Sequence, residues 1–134
     1  MDRNQFLFLL GGLKWTLALS AIGFVVGSIA GLGVALARTS GHRALERVAA
    51  GYIALFQGTP LLMQLFVVYY GLALAGLKLD AWVSVSIGFT LHSGAFLGEI
   101  WRGAIEAVPK GQVEAAKALS LNYGSQMQDV VLPQ

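Results

Sequence analysis

The chain has 134 residues, of which 56% are hydrophobic and only 12% are charged. Because soluble domains carry about 25% charged residues, this composition argues against an ordinary soluble domain and favours a membrane protein. The sequence contains no cysteine and two distant histidines, which excludes a disulfide framework and argues against a metal site. The net charge of +2 is too small to indicate nucleic-acid binding.

Three stretches, residues 15–37, 48–77 and 81–98, contain no charged side chain. A membrane helix needs about 20 apolar residues, with a working range of roughly 17 to 25. The middle stretch is longer than this, and Pro60 divides it because proline lacks an amide proton and disfavours helix in the preceding residue. The sequence therefore predicts an all-α membrane protein with spans at about 15–37, 60–77 and 81–98. A separate interfacial helix is expected over residues 43–56, at the cytoplasmic membrane surface.

The basic residues are unevenly placed along the chain. Six of the nine lie in two regions: Arg38, Arg43 and Arg47 between the first and second spans, and Arg102, Lys110 and Lys117 after the third. Three spans place both regions on one side of the membrane, and the positive-inside rule assigns that side to the cytoplasm. The sequence therefore predicts a multi-pass protein with its N-terminus outside and residues 108–133 in the cytoplasm.

The first apolar stretch has one alternative interpretation, a cleaved secretory signal. Residues 35–37 read Ala-Leu-Ala, which resembles a signal-peptidase site. However, the apolar stretch of 23 residues exceeds the roughly 7 to 15 residues typical of a signal peptide. A retained membrane helix is therefore the favoured interpretation.

Small residues recur at helical spacing in two of the predicted spans. Gly23, Gly27 and Gly31 follow one another every four residues in the first span, and Gly94 and Gly98 have the same spacing in the third. Lipid gives helices no hydrophobic reason to associate, so smooth faces that allow close backbone approach promote packing. The pattern predicts helix contacts along these stripes. It leaves open whether they serve general packing or build a bundle around a substrate path.

The third predicted span and its cytoplasmic end contain polar side chains. Glu99 and Arg102 are three residues apart, which predicts an ion pair on one helix face. A gate or a contact between subunits is the alternative, and His92 either faces a translocation path or bonds a neighbouring helix. A more remote possibility is an intramembrane hydrolase that uses Ser93 and His92. Adjacent side chains on a helix point about 100° apart, so these two cannot form a nucleophile–base pair with each other.

The last part of the chain is more polar and has the features of two short helices. Residues 108–111 read Val-Pro-Lys-Gly, which favours a turn, and residues 112–119 are strong helix formers. Residues 120–122 interrupt that helix, and Asn122 can cap a second one over residues 123–131. The sequence therefore predicts an exposed cytoplasmic knob of two short helices, ending near Pro133.

Several motifs together resemble one family. They lie at residues 12–20, 52–62 and 93–103, and at 108–116, where the last motif ends in Glu114-Ala115-Ala116. On these motifs the whole chain resembles the permease subunit of bacterial polar amino acid ABC importers, the His/Glu/Gln type of binding-protein-dependent permease. The resemblance implies an ABC permease helix bundle in the bacterial inner membrane. It also implies that the knob is the EAA loop, on which the ATPase subunit docks.

The resemblance implies specific partners and residue roles. The partners are ABC ATPase subunits carrying ATP and Mg²⁺, a second permease subunit, an extracytoplasmic amino acid-binding protein and the lipid bilayer. This chain has no Gly-rich phosphate loop, so it is not expected to be an enzyme or to bind a cofactor itself. The implied coupling residues are Gly111, Glu114, Ala115, Ala116, Ala118, Leu119, Ser120, Leu132 and Pro133. Replacing Glu114 by Lys together with Ala116 by Arg is expected to abolish uptake.

The chain also departs from the family pattern. Ala54 and Gln57 stand where the family has Glu and Arg, and Ser120 stands where it has Gly at the bend. Family members continue for about two more membrane helices after the position of Gln134. Residues 1–134 are therefore expected to form a single permease domain that is incomplete at its C-terminus. A non-transporting truncated fragment and half of a split permease are the alternatives.

Overall fold

The computed structural model describes residues 2–134, which fold as helices joined by short turns. In chain order the helices are α1 (Arg3–Arg38), α2 (Arg43–Gln57), α3 (Leu61–Leu74), α4 (Ala81–Ala107), α5 (Lys110–Ala118) and α6 (Tyr123–Ser125). The last of these continues into a π-helical turn, Gln126–Val131. No strand occurs between residues 2 and 134, so the all-α prediction is confirmed.

The first helix is longer than predicted. It begins at Arg3 rather than near residue 15, because the apolar residues before Lys14 continue the helix and one lysine does not interrupt it. The Gln5 side chain accepts a hydrogen bond from the Asp2 amide at 3.0 Å, which satisfies a free donor at the helix start. At the other end the Thr39 amide bonds the Ala35 carbonyl at 3.0 Å.

The first and fourth helices form the main contact of the fold, and they run parallel. The rings of Trp15 and Trp82 are 4.3 Å apart. Further along both helices, Gly27 lies against Gly94 and Gly31 against Gly98. The two residues of each pair are separated by the same number of positions in the sequence, so the helices run in the same direction. Two parallel helices begin at the same end of the bundle. The chain between them must therefore return from the Arg38 end to the Trp82 end, and α3 makes this return.

The second and third helices are separated by a sharp bend of 109° at residues 58–60. The position of the break agrees with the prediction from Pro60, and the separate helix expected over residues 43–56 is present as α2. Ala49 and Ile53 form the buried face of α2, which packs on α1 and α4. The placement of α2 at a membrane surface stays a prediction.

The turn from α3 to α4 explains why the predicted end of the second span was too late. Gly76 has a φ of +90°, which glycine adopts without steric cost, and the Leu77 amide bonds the Leu72 carbonyl at 2.8 Å. This Schellman turn ends α3 at Leu74 instead of residue 77. The fourth helix begins as expected, and the Asp80 carboxylate caps it by accepting from the Trp82 amide at 2.9 Å.

The predicted count of three membrane spans is only partly supported. By length and hydropathy, α1 is a candidate span, and α2 with α3 forms a second candidate if the bent pair counts as one. The fourth helix continues nine residues past the predicted end at residue 98, through a charged segment. The parallel contact between α1 and α4 requires one return of the chain between them, and this agrees with the three-span prediction.

Candidate functional site

The predicted cytoplasmic knob consists of α5, α6 and the π-helical turn. The helix α5 ends in a Schellman motif, in which the Ser120 amide bonds the Lys117 carbonyl at 2.9 Å and the Leu121 amide bonds the Ala116 carbonyl at 3.1 Å. This motif requires a left-handed residue after the helix, and Ser120 takes that role with a φ of +58°. The break predicted at residues 120–122 is therefore confirmed, and a serine makes it.

The second half of the knob differs in part from the prediction. As predicted, Asn122 caps the helix, accepting from the Ser125 amide at 2.9 Å. However, the regular α-helix expected over residues 123–131 becomes π-helical after Ser125, and the Leu132 amide bonds the Met127 carbonyl at 2.8 Å. The wider π turn packs on α5 and buries Val131.

The predicted coupling residues are mostly on the surface of the knob. Eight of the nine are exposed: Gly111, Glu114, Ala115, Ala118, Leu119, Ser120, Leu132 and Pro133. Leu119 is 75% exposed. Ala116 is the exception, with only 3% exposure. The Ala116 methyl group is therefore not on the surface of the knob but inside it, where α5 packs on the π-helical turn, and its part in the approach of a partner stays a prediction.

Charged residues form a network where α1 and α4 reach the same end of the bundle. Arg102 binds Glu99 through two hydrogen bonds of 3.0 and 2.8 Å, so the predicted ion pair is confirmed. Arg102 also binds Glu106 at 2.6 Å, and the Arg38 Nε atom lies 4.0 Å from Glu99. Neither Arg38 nor Glu106 was predicted as a partner in this network. Because Arg38 at the end of α1 approaches Glu99 of α4, the two regions that were predicted to be cytoplasmic lie at one end of the molecule.

His92 bonds a neighbouring helix. Its Nδ1 atom lies 3.0 Å from the Oε1 atom of Gln64 on α3. Gln64 is 6% exposed, and its amide nitrogen also donates to Phe56 at the end of α2 and to Thr59 in the turn that follows. Gln64 was not predicted as a functional residue, although, like His92, it is a polar side chain in an apolar stretch.

Ser93 belongs to the contact between α1 and α4. A β-carbon placed on Gly27 would come within 2.6 Å of the Ser93 Cβ atom, so Ser93 fills the groove that this glycine leaves open. His92 therefore contacts α3 while Ser93 contacts α1. This arrangement contradicts the intramembrane hydrolase, which needs a nucleophile and a base that meet.

An open hollow of about 480 Å³ lies between α1 and α4 beside these two polar residues. Besides His92 and Ser93, it is lined by Ser20, Gly23, Phe24, Phe89, Phe96 and Leu97. His92 thus lines the hollow, and its Nδ1 atom is hydrogen-bonded to Gln64 of α3. A role of His92 and Ser93 in a translocation path stays a prediction.

The glycine stripes pack against each other as predicted. A β-carbon at Gly31 would lie 2.8 Å from the Gly98 amide nitrogen, and one at Gly94 would lie 3.0 Å from the Tyr52 hydroxyl oxygen. Gly23 faces the Ser93 hydroxyl at a corresponding distance of 3.1 Å. All five predicted packing glycines therefore lie at helix contacts. Near the same end, the Trp101 indole donates to the Ser28 carbonyl at 3.1 Å.

Comparison with known proteins identifies the family. Residues 23–134 match the family described as "Binding-protein-dependent transport system inner membrane component". The chain belongs to this family. A solved structure titled "Crystal structure of an amino acid ABC transporter with histidines" superposes with a TM-score of 0.80 at 33% identity, covering 100% of this chain and 64% of the other. Family and permease fold, predicted from the motifs, are both confirmed.

Two similar curated proteins are named as permeases. The chain is 40% identical over 131 residues to the arginine transport system permease protein ArtQ of Bacillus subtilis, covering 97% of this chain and 60% of ArtQ. It is 40% identical over 124 residues to the L-cystine transport system permease protein TcyB of the same organism, covering 92% of this chain and 53% of TcyB. The chain therefore spans a little more than half the length of these relatives.

Proposed function

We propose that this chain is a permease component of an ATP-driven importer and that its substrate is a polar amino acid. Family membership supports the transport role, and the relatives that are named for arginine and cystine support the substrate class. The observation that carries the proposal is the exposed knob next to the charged end of α1 and α4. An extracytoplasmic binding protein would deliver the substrate to this chain and a second permease subunit.

The surface of the knob supports the docking of an ATPase subunit. Leu119 directly follows α5 and is 75% exposed, and Glu114, which lies five residues earlier on that helix, is exposed as well. Leu119 would fill an apolar notch on the ATPase, and Glu114 would supply charge and hydrogen bonding elsewhere on the docking surface. Binding of ATP and Mg²⁺ would occur on the partner and would move the knob together with α4.

Site-specific cross-linking tests this docking directly, because the chain contains no cysteine and each introduced cysteine is the sole thiol in it. A photoreactive maleimide on Leu119→Cys in native membranes should cross-link a protein whose sequence, read by mass spectrometry, has a Gly-rich phosphate loop. The matched control is Leu74→Cys, since Leu74 is also highly exposed but lies at the far end of α3.

The outcome distinguishes docking from random contact. A cross-link to the nucleotide-binding protein from position 119 but not from position 74 supports the proposal. Equal cross-linking from both positions, or none from position 119 in a chain that is present in the membrane, overturns it. In the assembled transporter, Leu119→Glu should lower amino acid uptake by about tenfold, because it places a charge in an apolar contact.

A further inference from the structure

Hydrogen bonds at the bend between α2 and α3 satisfy the last carbonyl groups of α2. A helix leaves its last carbonyl groups without partners, and these must be satisfied where water is excluded. The carbonyl of Ala54 accepts from the Gly58 amide at 2.9 Å, that of Leu55 from the Thr59 hydroxyl at 2.7 Å, and that of Phe56 from the Gln64 amide at 2.8 Å. A residue of α3 thus completes α2 across a bend of 109°.

The orientation of the Gln64 amide follows from its partners. Its Nε2 atom also lies 2.9 Å from the Thr59 carbonyl oxygen and 2.8 Å from the Thr59 hydroxyl oxygen. An amide oxygen in that place would face two carbonyl oxygens, which have no proton, and the Thr59 hydroxyl, whose proton is donated to the Leu55 carbonyl, so the nitrogen must occupy it. The Oε1 atom of Gln64 therefore points to His92 and can only accept. This requires the His92 Nδ1 atom to carry the proton of the 3.0 Å hydrogen bond.

A second hydrogen bond connects the same region of α2 to the same turn of α4. The Tyr52 hydroxyl donates to the Leu91 carbonyl, directly before His92 in the chain. One short segment of α4 thus holds α2 through Tyr52 and the beginning of α3 through Gln64. From that segment α4 continues without interruption to Ala107, where the turn to α5 begins.

We propose that Gln64 is a positioning residue that holds the α2–α3 bend to α4 through His92, so that a displacement of the knob reaches the bend through α4. The inference rests on the proposed transport function. In this arrangement α4 and the bend move as one unit when the ATPase moves α5. Without the Gln64–His92 bond, the ATPase still docks and turns over, but less of its motion reaches the bend.

Substitutions at the two positions separate coupling from folding. In the assembled transporter reconstituted into vesicles, Gln64→Leu and His92→Leu should each lower the amino acid uptake per ATP hydrolysed by about tenfold, the effect expected when a buried hydrogen bond loses its partner. His92→Asn keeps a donor near the position of Nδ1 and should restore most of this ratio. Ser84→Ala is the control, since Ser84 is a buried polar residue of α4 that lies outside this contact.

A distance measurement tests the attachment without relying on transport. Spin labels on Val67→Cys of α3 and Ile100→Cys of α4, both exposed positions, should give one narrow distance distribution in the otherwise unsubstituted chain. Gln64→Leu and His92→Leu should broaden it, and His92→Asn should keep it narrow. The inference is overturned if both Leu variants keep the narrow distribution, or if they keep the uptake ratio of the parent. If the parent chain binds no ATPase, the proposed function is refuted. The Gln64–His92 attachment would still stand if the parent gives the narrow distribution and the Leu variants give broader ones.

Discussion

Gly31 of α1 lies against the backbone of Gly98 of α4, and a β-carbon at position 31 would approach the Gly98 amide nitrogen to 2.8 Å. The contact is between two main chains, so no side chain can rotate away to make room. The two helices must separate to accommodate any larger residue at this point. This relationship makes position 31 a sensitive probe of the α1–α4 contact.

Substitution of Gly31 by Ala should destabilise the protein by about 1–3 kcal/mol, because an added methyl group overpacks a close helix contact. Thermal unfolding in detergent, followed by tryptophan fluorescence, measures the change. The matched control is Gly33→Ala on the same helix, where a β-carbon meets nothing within 4 Å. Gly33→Ala should be neutral or slightly stabilising, since alanine favours helix over glycine. Equal melting temperatures for the two variants would contradict the packing described.

Ser120 should gain stability when it is replaced by glycine. Its φ of +58° is left-handed, a conformation that costs a residue with a β-carbon about 1–2 kcal/mol. Ser120→Gly removes this cost and should slow hydrogen exchange of the α5 amides by up to about tenfold. Ser120→Ala keeps a β-carbon and should give no such protection. If both variants exchange alike, the left-handed turn is not the cause.

Glu99 should contribute modestly to stability, and its contribution should depend on salt. Its side chain is paired with Arg102 and lies near Arg38, but the carboxylate is partly open to solvent. Glu99→Gln is therefore expected to cost about 0.5–1 kcal/mol at low ionic strength and less in high salt. Glu106→Gln is the comparison, because Glu106 is more exposed and has one partner in this network. A cost at Glu99 that is unaffected by salt would exclude the ion pair as its source.

Ala116 and Ala118 should respond differently to the same substitution. Ala116→Arg forces a charged chain into the interior of the knob and should make residues 110–133 sensitive to protease, at a cost of about 2 kcal/mol or more. Ala118→Arg places the same side chain in solvent and should leave the knob resistant. Limited proteolysis in membranes, with fragment masses, provides the measurement. Resistance of the Ala116 variant would show that this residue is not packed inside the knob.

The same comparison explains why the double substitution at positions 114 and 116 is a poor test of docking. Ala116→Arg alters the fold of the knob as well as its surface, so a loss of uptake would not identify the cause. Glu114→Lys alone changes an exposed side chain and is the cleaner variant. Ala118→Arg, also exposed, tests the steric part of the same surface.

The sequence by itself determined where the helices break. Pro60, Pro109 and the residues around Ser120 interrupt helices through the local geometry of the main chain, and this information lies within a few residues. The motifs also determined the family, because they extend over most of the chain. The predicted bounds of α1 and α3 were less accurate, because α1 continues through Lys14 and because a glycine turn ends α3 within a stretch that stays apolar.

The tertiary structure alone decided which faces meet. The bond from Gln64 to His92 joins residues 28 apart, and that from Trp101 to Ser28 joins residues 73 apart. Such pairs depend on how whole helices rotate and slide after the turns have closed, and no local pattern encodes this. The burial of Ala116 is similar in kind, because it follows from a π-helical turn that packs on α5. Periodicity identified the polar and small residues, and only packing assigned them their partners.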